Sequence, residues 1–213
     1  MIAQLIDGPL WYFSFTIFVL GVLWRIFMIL RAGVKKDLAV PREGGGAGAL
    51  RAIFSRFVPE RTVRRHGKVQ LVAGYMFHLG LFALLFLARP HVDFFAERMT
   101  GFGWWSMPYW AFIVAAEVAF AGLIMLWLYR LLNPVTRLLS SADDYIGTVL
   151  VFLVMLSGCL ALAQSVEALR LLHLFLAELL LIYFPFSNLM HAFTFAFSRG
   201  YTGATMGRKG IRA

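Results

Sequence analysis

The chain has 213 residues, of which 61% are hydrophobic and 15% charged, and 20 Lys and Arg against 11 Asp and Glu give a formal net charge of +9. A soluble domain carries about a quarter charged residues, so this surplus of apolar surface needs lipid as its solvent. The single cysteine, Cys159, excludes an intrachain disulfide, a cysteine-based zinc site and a cysteine-ligated iron–sulfur cluster.

Five apolar stretches are long enough to cross a bilayer core, which takes about 20 helical residues. They run approximately over 10–30, 69–88, 109–129, 145–163 and 171–197. Period-2 alternation is not evident, and lipid demands internally satisfied backbone groups, so helices rather than a β-barrel are expected. The expected fold is an all-α membrane protein, a five-transmembrane-helix bundle forming a single membrane domain over residues 1–213. The first stretch has its basic residues after it, the reverse of a secretory leader, and reads as an uncleaved first helix.

The segment 31–68 follows. Its Gly44–Gly48 run reads as a flexible hinge rather than a nucleotide-binding loop, because no strand precedes it. A short amphipathic helix is expected around Ala49–Val58. Helix two carries His78 within the span and His91 at its far end, with His66 just before the span. The following loop holds Phe94, Phe95, Phe102, Trp104, Trp105 and Trp110. It reads first as an interfacial aromatic belt and second as a roof over the pocket of a lipid-soluble substrate. Glu117 lies within helix three. Asp143 and Asp144 stand at the start of helix four, where negative charge favours a helix N-terminus. Helix five carries His173, Glu178 and His191.

Orientation follows from the basic residues. Arg31, Lys35, Lys36, Arg42, Arg51, Arg56, Arg61, Arg64, Arg65 and Lys68 lie between helices one and two. Arg130 and Arg137 follow helix three, and Arg199, Arg208, Lys209 and Arg212 follow helix five, against Arg89, Arg98 and Arg170 on the other side. The N-terminus is therefore expected outside and the C-terminus in the cytoplasm, across the cytoplasmic (inner) membrane. The net charge is a positive-inside bias rather than a nucleic-acid footprint.

Titratable side chains inside a membrane helix are costly and mark function; the plain alternative is a buried histidine that only makes a hydrogen bond. His173 and His191 are 18 residues apart, about five whole turns and roughly 27 Å on one face of a continuous helix. Zinc needs ligands converging on one point, which two such histidines cannot supply. Low-spin haem b takes two imidazoles from facing helices. Two haems are expected, His78 with His191 on the inner side and His91 with His173 on the outer, and one if the outer ligand set is incomplete. His78 and His91 are about 220° apart around a regular helix, so their pairing needs a bend at Pro90; His66 with His78, about 120° apart, is the alternative. Glu117 and Glu178 read either as hydrogen-bonded carboxyls or as a proton relay. Cys159 and the methionines read as packing residues, with a Met axial ligand as a minor alternative.

The run Leu172-His173, then Phe184-Pro185-Phe186-Ser187-Asn188-Leu189-Met190-His191, resembles the last helix of the gamma subunit of respiratory nitrate reductase. Phe77-His78-Leu79-Gly80 and Arg130-Leu131-Leu132-Asn133-Pro134 followed by Ala142-Asp143 are similar to that family's inner-ligand segment and its loop before helix four. Relatives associated with sulfite reductase, heterodisulfide-reductase-like and hydrogenase-linked complexes share these haem-bearing helices. The resemblance implies His78 and His191 at the inner haem and His173 at the outer. The family's outer ligand on helix two falls at Ala88, and His91, three residues on, takes that role here. Asn188 stands where the family has arginine, and Arg98 is the outer cation left to meet a quinol. The implied function is a cytochrome b subunit carrying electrons between the quinone pool and a cytoplasmic iron–sulfur protein, in either direction. The other reading is a membrane anchor or small transporter with proton-binding histidines.

Overall fold

The structure, a computed structural model, describes residues 2–33, 40–42, 44–164 and 166–211, with only the backbone of Thr62, Val63, His66 and Gln164. Lys35, Lys36 and Arg212 of the basic segments lie outside the described residues. In chain order the helices are α1 (Ile2–Ala32), α2 (Gly45–Ser55), α3 (Arg61–His66), α4 (Lys68–Leu87), α5 (Arg89–Phe95) and α6 (Tyr109–Leu132). Then come α7 (Pro134–Leu139), α8 (Ala142–Gln164), α9 (Glu167–Tyr183) and α10 (His191–Arg208). No strand occurs among the described residues. Five helices are long and apolar enough to cross a membrane: α1, α4, α6, α8 and α9 with the turn that follows it. The chain divides into two compact units, Met1–Arg64 with Leu171–Ala213, and Arg65–Arg170.

The span boundaries follow local chemistry. Helix α1 starts earlier than expected because a wide π turn over Ile6–Leu10 accommodates Pro9 inside the helix. Asn133 ends α6 and caps α7, its side chain accepting from the backbone N–H groups of Val135 and Thr136. At the start of α8 the Asp144 carboxylate reaches back to accept from the Ser141 backbone N–H at 2.8 Å and its hydroxyl at 3.0 Å, the reciprocal half of a capping box.

The helix expected over 171–197 is not continuous. Helix α9 ends at Tyr183, short tight turns span Phe184–Phe186 and Asn188–Met190, and α10 begins at His191. Pro185 lacks the N–H that a helix needs and clashes with the preceding turn, while Ser187 is extended at φ −113°, ψ 173°. The one-face relation and axial spacing drawn for His173 and His191 from a regular helix therefore do not hold.

In the first unit this break is seated on α1. Pro185 is fully buried, and a Cβ added to Gly21 would lie 2.6 Å from its ring carbons. Phe18, Phe184 and Phe193 form a cluster of edge-on rings with centroids 5.4–5.9 Å apart. The Gly44–Gly48 stretch is not a hinge: α2 begins at Gly45 and packs by its glycines against Gly203 and Gly207 of α10. In the second unit α4 and α6 meet through small residues. Ala73 and Ala119 are inaccessible to solvent, Gly122 lies against the Phe77 backbone nitrogen, and a Cβ on Gly80 would stand 2.7 Å from the Ala115 carbonyl. Small residues let backbones approach where lipid supplies no hydrophobic drive.

Candidate functional site

Among the described residues, His78, His91 and His191 share one device. His78 on α4 sets Nδ1 2.7 Å from the Gly74 carbonyl oxygen. His91 on α5 sets Nδ1 2.8 Å from that of Leu84, and His191 sets Nδ1 2.7 Å from that of Asn188. A carbonyl only accepts, so in each ring Nδ1 is the donor to it, and a neutral ring bonded in this way has its lone pair on Nε2. A backbone carbonyl on Nδ1–H is how a metal-ligating histidine is commonly fixed in tautomer and orientation.

The elements that aim these rings differ. His78 bonds within its own helix, one turn back. His91 bonds across a break: Ala88 is extended at ψ 132°, and Pro90 opens α5. The final carbonyls of a helix have no partner within it, and here α5 and the loop before α6, expected on the outer side, supply them. Trp104 donates its indole N–H to the Phe86 carbonyl at 2.6 Å, Met107 donates its backbone N–H to that of Leu87 at 2.8 Å, and His91 takes Leu84. The helix is therefore interrupted beside Pro90, as the His78–His91 pairing required, and Trp104 caps the end of α4. Burial holds the His91 imidazole below its ordinary pKa, offset only in part by the Leu84 and Leu85 carbonyls, so the ring is neutral near pH 7, the form that ligates metal.

His173 lies half-buried in the second turn of α9. The side chain of His66, the alternative partner for His78, lies outside what is described; its backbone closes α3. The two ligands expected on helix two fall in the second unit and the two expected on helix five in the first. Within the second unit a run of rings connects His78 to the outer loop through Phe82, Phe86, Phe95 and Trp104, with successive centroids 5.8–6.3 Å apart.

The two membrane glutamates part company. Glu178 is 2% exposed and its Oε2 has no hydrogen-bond partner among the described residues; the Asp7 carboxyl, on the π turn of α1, lies within its electrostatic reach. Glu117 is exposed on α6. On the expected outer side, Arg89 is paired with Asp93 at 2.9 Å and Arg170 with Glu167 at 2.7 Å, whereas Arg98 lies over the Phe94 ring at 6.0 Å. Asp7 and the carbonyl clamps were missed in the sequence. The Arg89-Pro90-His91 run, a proline at a helix start, was the signal for the second clamp.

Fold and site together define a five-span, all-α membrane protein with histidines fixed in and beside its helices. No protein-family model matches the chain. It is 28% identical over 210 residues to a protein of Nitratidesulfovibrio vulgaris whose name carries no function, covering 93% of this chain and 90% of the relative. It is 25% identical over 250 residues to the Hdr-like menaquinol oxidoreductase cytochrome b-like subunit of Archaeoglobus fulgidus, covering 85% of this chain and 74% of that subunit. The chain is thus a distant relative of a membrane cytochrome b-like subunit.

Proposed function

We propose that this chain is the haem-b-bearing membrane subunit of a quinol-linked oxidoreductase complex, exchanging electrons with an iron–sulfur protein on the cytoplasmic side. The observation that carries the reading is the shared fixing of His78, His91 and His191 by backbone carbonyls at 2.7–2.8 Å on Nδ1, which leaves Nε2 as the ligating nitrogen of each ring in its neutral form. The name of the Archaeoglobus relative supports quinol as the membrane substrate. The basic-residue bias supports an N-terminus outside and a C-terminus in the cytoplasm, and electrons pass in either direction between the quinone pool and the cytoplasmic partner according to the partners' potentials.

In the pairing expected from the sequence, His78 and His191 would hold the inner haem, and His91 and His173 the outer. Bound haem b supplies a one-electron carrier inside the membrane. The carbonyls of Gly74, Leu84 and Asn188 keep each ring in its ligating tautomer. Quinol releases protons with its electrons, and Glu178 would take one; its burial, with one carboxyl oxygen unpartnered among the described residues, supports that role. Arg98 is the cation that meets the quinol oxygen at the outer rim.

Haem content of the purified protein tests this directly, by pyridine haemochrome with a dithionite-reduced spectrum. Two haems b per chain are expected, and His191→Ala and His78→Ala each remove one. A folded sample made with haem available, yet without haem, overturns the reading. Glu178→Gln keeps both haems and slows their reduction by quinol; an unchanged rate removes Glu178 from the proposal.

A further inference from the structure

Helix α2 is apolar on two opposite sides, and only one of them is covered. Gly45, Gly48 and Ala52 turn towards α10: a Cβ on Gly45 would stand 3.0 Å from the Ala204 carbonyl, and one on Gly203 2.5 Å from the Ala52 Cβ. Ala52 is inaccessible to solvent, and Arg199 of α10 donates to the Ile53 carbonyl at 3.3 Å while lying over the Phe57 ring at 4.7 Å. Positions three and four apart share a helix face, so these residues form one stripe. Leu50 and Phe54 lie on the reverse face and are 62% and 68% exposed.

We propose that this reverse face of α2 lies in the headgroup region of an anionic leaflet, with α2 held between α10 and the lipid. Three observations favour lipid. The chain around this face is basic: from Gly44 to Arg61 the charged residues are Arg51, Arg56 and Arg61 against Glu60, and α10 with the residues after it adds Arg199, Arg208, Lys209 and Arg212 and no acid. Both helices are tethered to spans, α10 directly beyond α9 and its turns, and α2 about a dozen residues beyond α1, a reach of at most roughly 40 Å. A short helix with an apolar face and arginines at its margin is the form that seats at the acyl–headgroup boundary of anionic membranes.

The test uses the full chain in vesicles, on a Cys159→Ala background, with an environment-sensitive fluorophore at Phe54→Cys or, in a second variant, Leu50→Cys. Both side chains are exposed, so labelling disturbs no packed surface. Ser198→Cys, exposed on the face of α10 away from α2, is the reference. In phosphatidylglycerol-containing vesicles the labels at 54 and 50 are expected to shift to the blue and to be quenched by lipids carrying a shallow spin label, with the label at 198 unquenched. Neutralising Arg51 or Arg56 to Gln should lower the docked-to-undocked ratio about fivefold each. Water-like, unquenched emission at both positions overturns the proposal. So does shielding that arises only when a soluble protein partner is added, which would make the face a protein-docking surface.

Discussion

Two helix breaks in this molecule each contain a proline and each deliver a histidine just beyond it, yet they are built in opposite ways. Between α4 and α5 a single extended residue, Ala88, interrupts the helix; Pro90 is exposed, and the loose carbonyls are met by hydrogen bonds from His91, Trp104 and Met107. Between α9 and α10 two tight turns flank Ser187, and Pro185 is wholly buried against Gly21 of another span. The first break is held by hydrogen bonds and the second by packing. His91 consequently reaches back seven residues for its carbonyl, whereas His191 needs only the turn immediately before it.

The largest expected effect falls on the packed break. At Gly21 even a methyl group would stand 2.6 Å from Pro185, and overpacking costs about 1–3 kcal/mol. Gly21→Leu should therefore lower the unfolding temperature in detergent strongly and Gly21→Ala less. An unchanged transition in both would mean that α1 does not seat the turn.

Pro90→Ala sharpens the contrast from the other side. Alanine restores the N–H and lets α4 run on, at a stability change of about 1 kcal/mol or less. Once the helix is continuous, His91 no longer reaches the Leu84 carbonyl. The variant should stay folded and lose the outer haem while keeping the inner, read as half the haemochrome signal. Full retention would detach the ring's placement from the break. The smallest effect is expected for Trp104→Phe, which keeps an aromatic ring to stack on Phe95 but removes the indole donor to Phe86. One lost hydrogen bond of this kind costs about 1 kcal/mol, measurable as a small shift in the same thermal transition.

Much of the architecture was legible in advance. The five spans and the all-helical class follow from runs of apolar residues, because transfer from water to lipid is a local property of each segment. The capping role of Asp144 was equally local. The unbroken helix over 171–197 was the misreading: the His173–His191 spacing fits five turns so well that it outweighed Pro185, whose missing N–H is a local signal in plain view. A bend at Pro90 was only a condition of one of two pairings, and the ring that bonds back to Leu84 lies across a helix break that no periodicity describes.

The sequence by itself determined how many times this chain can cross a membrane, which histidines and carboxyls lie in or beside those crossings, and where proline stops a helix. Each depends on a residue and its near neighbours. Tertiary structure alone decided which of two membrane glutamates is enclosed, since Glu178 and Glu117 look alike in sequence and differ in what packs over them. It also decided that a glycine run is a packing surface rather than a hinge, because the surface Gly48 fits is Gly203, far along the chain. Burial and close approach belong to pairs of segments, and the free energy that fixes them is not written in either segment alone.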